Sequence, residues 1–380
     1  MPVSWRRSPG WCWLPAGEQQ PGRSGSIVRV TPPLHSPFLA ACRGEPVAQT
    51  PVWFMRQAGR SLPEYLAIRE GVPMLESCRR PDLVTEITLQ PVRRYGVDAA
   101  IFYSDIVVPL VAIGVGVDIK PGVGPVLDEP FRTRADLQRL RPLEPDDVDY
   151  VTQAIGSLVA ELGETPLIGF AGAPFTLACY LVEGGPSKDH AKTRAFMRTD
   201  PQLWFDLLAR LADITASFLT VQVSAGASAV QLFDSWAGVL SRRDYSEFVL
   251  PHSRTVLDAV AATDRDVPRI HFGVGTGELL DLMGDAGADV VGVDWRIPLH
   301  VAAARVGPDR SLQGNLDPAV LAAPADVVTH EVARVLAEGA AARGHVFNLG
   351  HGVPPWADPD VLARVVEQVH AATDQEAHPR

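Results

Sequence analysis

Two arginines four residues apart, Arg56 and Arg60, follow the apolar run PVWFM at positions 51–55, with Gln57 and Gly59 between them. Such a run reads as a buried strand, so the pair stands where a strand gives way to a loop. A guanidinium grips a carboxylate through two parallel N–H donors, and two of them beside a glycine suit an acidic ligand. Other polar groups also follow apolar runs. They are Ser104 and Asp105, the glycines at 169 and 172 with Tyr180 further on, Asp234 and Ser235, Asp294 and Trp295, Asn315 and Asp317, and His351 within NLGHG. Histidine titrates near neutrality, and the glycines flanking His351 let backbone approach a ligand closely.

This set is rich in anion-binding groups and poor in nucleophile machinery. There is no GxSxG elbow, and no strand-end cysteine is paired with a base. HExxH, the Walker phosphate loop and the dinucleotide fingerprint are absent. The GVGTGE segment at 273–278 lacks the lysine of a phosphate loop; it either touches a ligand or makes a tight strand-to-helix turn. Each candidate has an ordinary reading too. Arg56 and Arg60 fit a solvated or salt-bridged pair. Asp105 fits a helix cap, an acceptor for N–H donors, or a stabiliser of positive charge. Tyr180 fits a packed aromatic, and Ser235 a cap.

Eight apolar runs position these groups: 52–55, 99–103, 167–170, 229–233, 270–272, 290–293, 312–313 and 346–349. Several are continuously apolar, as strands buried on both faces are. The fifth and seventh are short and partly polar. Between the runs lie helix signals. Asp200-Pro201 opens a helix with Leu203, Trp204, Leu207, Leu208, Leu211, Ile214 and Phe218 at helical spacing and Gly226 near its stop. Pro81 opens another that ends at Tyr95-Gly96, Asp317-Pro318 a third, and Pro145 with Asp146 and Asp147 a fourth. Eight strand–helix alternations predict a single-domain (β/α)8 TIM barrel, whose strand-end loops converge on one face. A doubly wound sheet fits less well, because its glycine fingerprint is missing after the first run. The Pro-Gly and Gly-Pro pairs within 116–130 predict a hairpin insertion after the second strand.

The 380 residues suit one such barrel with extensions. A net charge of −11 argues against general binding to nucleic acid or anionic membranes, but a local arginine cluster can still hold an anion. No stretch approaches about 20 consecutive apolar residues, the length of a membrane span. Cys12, Cys42, Cys78 and Cys179 form no CxxC pair and no metal-ligand spacing with histidine, which fits a reducing cytoplasm. Residues 1–35 have no periodicity and much Pro, Gly, Ser and Arg; they predict a disordered N-terminal tail, leaving 36–375 as the barrel.

PVWFMRQAGRSLPEY, FYSDIVVP, GFAGAPFTLACYLVEGG, QLFDSWAG and NLGHGV, in this order and spacing, resemble the uroporphyrinogen decarboxylase family of haem biosynthesis. The likeness runs from about Pro51 to about His370. It implies a cytoplasmic, homodimeric (β/α)8 enzyme that uses no metal or organic cofactor. The implied substrate is uroporphyrinogen III, with four acetates and four propionates; the implied products are coproporphyrinogen III and four CO2. The implied substrate-binding residues are Arg56, Gln57, Arg60, Asp105, Tyr180, Ser235 and His351. Arg56, Asp105, Tyr180 and His351 among them are the implied catalytic groups. The pyrrole ring, once protonated, is its own electron sink; Asp105 is expected to accept the four pyrrole N–H groups, and Arg56, His351 or a water to supply the proton. Ser61 and Phe175 depart from the pattern, standing where many members have tyrosine and tryptophan. Two other readings are a corrinoid-linked zinc methyltransferase of the same superfamily and a non-catalytic tetrapyrrole carrier. For the first, His271 lacks a cysteine partner, since none lies beyond Cys179.

Overall fold

The structure is a computed structural model and describes residues 36–377. The expected N-terminal tail, with Cys12, lies outside the described residues. In chain order the strands are β1 (Ala100–Ile101), β2 (Val117–Lys120), β3 (Gly124–Leu127), β4 (Leu167–Gly172), β5 (Ala229–Phe233), β6 (Arg269–Phe272), β7 (Val290–Gly292), β8 (Ser311–Gln313) and β9 (His345–Val346). β2 and β3 pair only with each other, antiparallel, with Val117 opposite Leu127 and Lys120 opposite Gly124. The other seven form one parallel sheet in the order β1-β4-β5-β6-β7-β8-β9. Helical crossovers join these parallel neighbours and cover the sheet. β4 and β7 are buried along their whole length, which explains their unbroken apolar sequences.

The expected strand at 52–55 is reduced to one parallel bridge, Val52 to Phe347. Pro51 has no N–H for a ladder, and Val52 gives its own N–H to the Asp98 carboxylate, 2.7 Å away. Met55 likewise donates to the Asn348 side chain rather than to backbone. Residues 51–53 nonetheless contact both edges of the sheet. Phe347 N–H donates to the Pro51 carbonyl at 2.8 Å, and Asp98 N–H donates to that of Val52 at 2.8 Å. Side chains also meet across the interior: Trp53 Nε1 donates to Gln313 Oε1 (3.1 Å), and Gln313 Nε2 donates to Gln231 Oε1 (2.9 Å). Gln231 on β5 and Gln313 on β8 are not neighbours in the sheet, so it must curl to bring them together.

The long helix Pro201–Ala225 begins and ends as its sequence predicts. Asp200 accepts the Leu203 N–H at 3.0 Å, and Gly226 adopts φ 119°, a conformation that glycine tolerates. By length and composition this helix alone among the described residues is able to cross a bilayer. Here it is a core helix, with Trp204, Leu207, Leu208, Leu211 and Phe218 fully buried. Pro81–Tyr95 also matches its prediction. Asp317-Pro318 does not open an α-helix: it opens a 3-10 turn, Pro318–Ala322, and the helix starts at Ala325. Pro324 forces Ala323 into an extended conformation (ψ 165°), which breaks the run. Pro145–Val148 is similarly a 3-10 turn ahead of the helix Asp149–Leu162. Cys42, Cys78 and Cys179 are buried free thiols.

Candidate active site

The carboxyl ends of the parallel strands carry the predicted polar groups. Arg56 lies in a turn at φ 60°, a left-handed conformation that costs a residue with a side chain about 1–3 kcal/mol. Its neighbours hold it there. Gln57 N–H donates to the Phe54 carbonyl (3.0 Å), Met55 N–H to Asn348 Oδ1 (3.1 Å), and Val353 N–H to the Met55 carbonyl (2.8 Å). Asn348 opens the NLGHG loop and Val353 follows it, so the first and last strand-end loops brace one another. A methyl group on Gly352 would come within 2.5 Å of Arg56 Cδ, so glycine lets the arginine stem lie against that loop.

Gln57 differs from its expected role. It is fully buried; Oε1 accepts the Phe54 N–H (3.1 Å) and Nε2 donates to the Ala99 carbonyl (3.2 Å). Its amide is committed to the protein, so it supports the Arg56 turn instead of meeting a ligand. Arg56 and Arg60 are both exposed, and neither forms a hydrogen bond or ion pair among the described residues.

Asp105 is half-buried, and its Oδ1 accepts the Val107 N–H at 3.0 Å. Burial pushes its carboxyl above the usual range, while that N–H and the Arg56 charge pull it down. Tyr180 lies in the last turn of the helix Pro174–Glu183 and packs edge-on to Trp236, 6.1 Å between ring centres. Burial raises its phenol, and the charges of Asp105 and Arg56 act on it in opposite directions. His351 is half-buried; Nδ1 accepts the Gly352 N–H at 2.8 Å, which leaves Nε2 to carry the proton of the neutral ring. Burial and then the Arg56 charge lower its pKa, so the ring is neutral at pH 7. Asp105, Tyr180 and His351 therefore all feel Arg56, and the four form one electrostatic cluster. Ser235 is half-buried next to Trp236, and its hydroxyl makes no hydrogen bond among the described residues. Arg60 sits four residues further along the first loop and is exposed.

Asp234, one of the predicted strand-end groups, instead belongs to a buried polar core. Thr176 Oγ1 donates to Asp234 Oδ1 (2.8 Å) and accepts the Trp236 N–H (3.3 Å), linking the β5 loop to the helix that bears Tyr180. Thr176, Asp234 and His271 are fully buried. The GVGTGE segment is a tight turn: Gly275 N–H donates to Asp294 Oδ2 (2.5 Å) and Thr276 Oγ1 to the Gly273 carbonyl (3.1 Å). Among the described residues, no three His, Cys, Asp or Glu side chains converge as a metal site.

The sequence of residues 34–372 matches the profile of the uroporphyrinogen decarboxylase (URO-D) family. The chain belongs to that family. Among curated relatives, a uroporphyrinogen decarboxylase from Streptomyces coelicolor is 70% identical over 338 residues, covering 89% of this chain and 95% of the relative. One from Streptomyces griseus is 67% identical over 360 residues (94% and 98%), and one from Thermobifida fusca 64% over 351 residues (92% and 97%). Among solved structures, a methyltransferase from Methanosarcina mazei superposes with TM-score 0.72 at 19% identity, covering 92% of this chain and all of the other, so the two share a fold. The Phe175 ring is fully buried and packs edge-on to Trp204 at 6.1 Å. Ser61 is partly buried.

Proposed function

We propose that this protein removes the four acetate carboxyls of uroporphyrinogen III to give coproporphyrinogen III and four CO2, without metal or organic cofactor. The observation that carries the reading is that Asp105, Tyr180 and His351 all lie within reach of the Arg56 charge, in a chain of this family. Each step has the balance R-CH2-COO⁻ + H⁺ → R-CH3 + CO2. A proton added to the ring carbon beside the acetate-bearing carbon makes the pyrrole iminium-like. The C–C bond to the carboxylate then breaks, and its electron pair enters the ring. Protonation of the resulting exocyclic methylene gives the methyl group, and the first proton leaves.

In this reading Asp105 is ionised, accepts the pyrrole N–H groups and offsets the cationic ring, the largest single contribution to rate in such a site. Arg56 and Arg60 bind carboxylate arms. His351 donates through Nε2–H and Tyr180 through its phenol, both neutral near pH 7. Ser235 offers a further hydrogen bond. Arg56, a very weak acid, is better suited to fixing a carboxylate than to giving up a proton. The accompanying fold reading is a closed (β/α)8 barrel over 36–375, with 52–55 as its first strand and the β2–β3 hairpin inserted after the second. It is further read as a homodimer in the cytoplasm. The test is anaerobic incubation with reduced uroporphyrinogen III, followed by oxidation and chromatography. A ladder from eight to four carboxylates is expected; an unchanged octacarboxylate overturns the reading.

A further inference from the structure

A third guanidinium stands at the same end of the sheet. Asp294, Trp295 and Arg296 follow β7 closely, just as Asp234 and Ser235 follow β5. The sequence points to Asp294 and Trp295 as strand-end groups; Arg296, one residue further, carries no separate signal.

The turn that bears Arg296 is built rigidly. Asn315 is buried, and its Nδ2 donates to the carbonyls of Asp294 (2.9 Å) and Ile297 (2.6 Å). The buried Asp294 carboxylate accepts the Gly275 N–H (2.5 Å) and the Arg296 N–H (3.1 Å). The NLGHG loop presses directly on the turn: a methyl group at Gly350 would lie 2.3 Å from the Trp295 nitrogen. Only glycine permits that approach, and it sets His351 beside Trp295, 6.2 Å between ring centres.

Arg296 lies over the Trp295 ring, its guanidinium carbon 4.0 Å from the centroid, and one of its nitrogens pairs with Asp294. The side chain is still 50% exposed, so the outer edge of the fork is open. Its remaining donors have no partner among the described residues. Its charge reaches the catalytic cluster, because it is one of those holding His351 neutral. An arginine stacked on an indole and tethered from behind has already lost most of its rotamer freedom. It therefore binds an anion at lower entropic cost than a mobile surface arginine.

We propose that Arg296 is a specificity-determining residue whose free edge binds a carboxylate arm of the substrate beside His351. This inference rests on the decarboxylase reading for the identity of the ligand. Asp294 and Trp295 act through Arg296, as positioning residues.

The experiment compares wild type, Arg296→Ala and Arg296→Lys. Kinetics on uroporphyrinogen III are paired with equilibrium dialysis of the same reduced octacarboxylate under anaerobic conditions. Arg296→Ala is expected to raise KM and Kd about tenfold, equivalent to ~1.4 kcal/mol, with the loss carried mainly by KM. Lysine keeps the charge but loses the planar fork and the stacking, so it should recover only part of the affinity. Unchanged KM and Kd in Arg296→Ala overturn the inference. So does a lowered melting temperature with unchanged Kd, which marks a purely structural residue. Wild-type protein that binds uroporphyrinogen but releases no CO2 overturns the decarboxylase reading instead, and the dialysis still decides the part played by Arg296.

Discussion

Oδ2 of Asp234 and Nε2 of His271 face each other 3.9 Å apart in the core, both fully buried and neither hydrogen-bonded among the described residues. His271 Nδ1 lies 3.2 Å from the Met283 carbonyl, so that nitrogen carries the ring proton and Nε2 presents a lone pair. An ionised Asp234 would then oppose two acceptors, which a buried site does not tolerate. The conflict disappears when the proton sits on Asp234. Burial acts in that direction on both groups, raising Asp234 to about 7 and lowering His271 to about 4.

Linkage turns this into a stability prediction. Asp234 has a raised folded pKa, so the stability it contributes is present below the unfolded value of about 3.9 and is lost as pH rises towards about 7. His271 is depressed, so its contribution is present above the unfolded value of about 6.5 and is lost as pH falls towards about 4. Between those limits the two slopes oppose each other, and the pair leaves stability nearly independent of pH. Asp234→Asn mimics the protonated acid: Oδ1 still accepts from Thr176, and Nδ2 faces the His271 lone pair. It should fold normally but gain stability with rising pH between about 4 and 6.5, by up to ~1.4 kcal/mol per pH unit relative to wild type. Thermal melts across that range check it; parallel curves for the two proteins refute the protonated Asp234.

Gln57 should behave as a structural residue. Gln57→Ala leaves the Phe54 N–H and the Ala99 carbonyl without partners in a dry region, at a cost of about 1–3 kcal/mol for each unsatisfied group. The expected result is a lower melting temperature in the absence of any ligand. Undiminished stability with a raised KM restores the substrate-binding role that its sequence position suggested.

That contrast shows what a sequence reading can and cannot resolve. The apolar run at 167–170 marks a strand because burial on both faces leaves no room for polar residues, and the groups after it fall at one end of the sheet. Whether a polar side chain at such an end turns outward or inward is decided by the turn. Arg56 and Gln57 are adjacent, yet the first is exposed and the second buried. The Asp234–His271 pair was out of reach for another reason. It depends on the register of β5 against β6, where Leu232 pairs with His271, and register is a tertiary fact. The Asp317-Pro318 boundary failed because a second proline six residues on stops the helix that the first one signals.

Arg60 tests the anion clamp without disturbing the fold, since it is exposed and makes no hydrogen bond or ion pair among the described residues. Arg60→Ala should keep its melting temperature and raise KM about tenfold, the loss of one charge-assisted carboxylate contact. The wild-type KM should rise with ionic strength, and more steeply than that of the variant, because screening weakens exposed charge pairs. Equal salt dependence in the two proteins removes Arg60 from the binding surface.

Asp105 carries the sharpest test, because its substitution separates charge from shape. Asp105→Asn keeps an oxygen for the Val107 N–H, so the loop should hold its form. The variant loses the anion that offsets the cationic ring, and kcat should fall by about 10²–10³. The pH profile adds an independent reading. Activity needs the ionised form, so wild-type rates should fall on the acid side, at a pH above the usual carboxylate range because burial raises Asp105. Arg56 opposes that shift. Arg56→Met should therefore move the acid limb to higher pH, beyond any effect on KM, while Asp105→Asn should abolish it. An acid limb that Arg56→Met leaves in place means that the group titrating there is not Asp105.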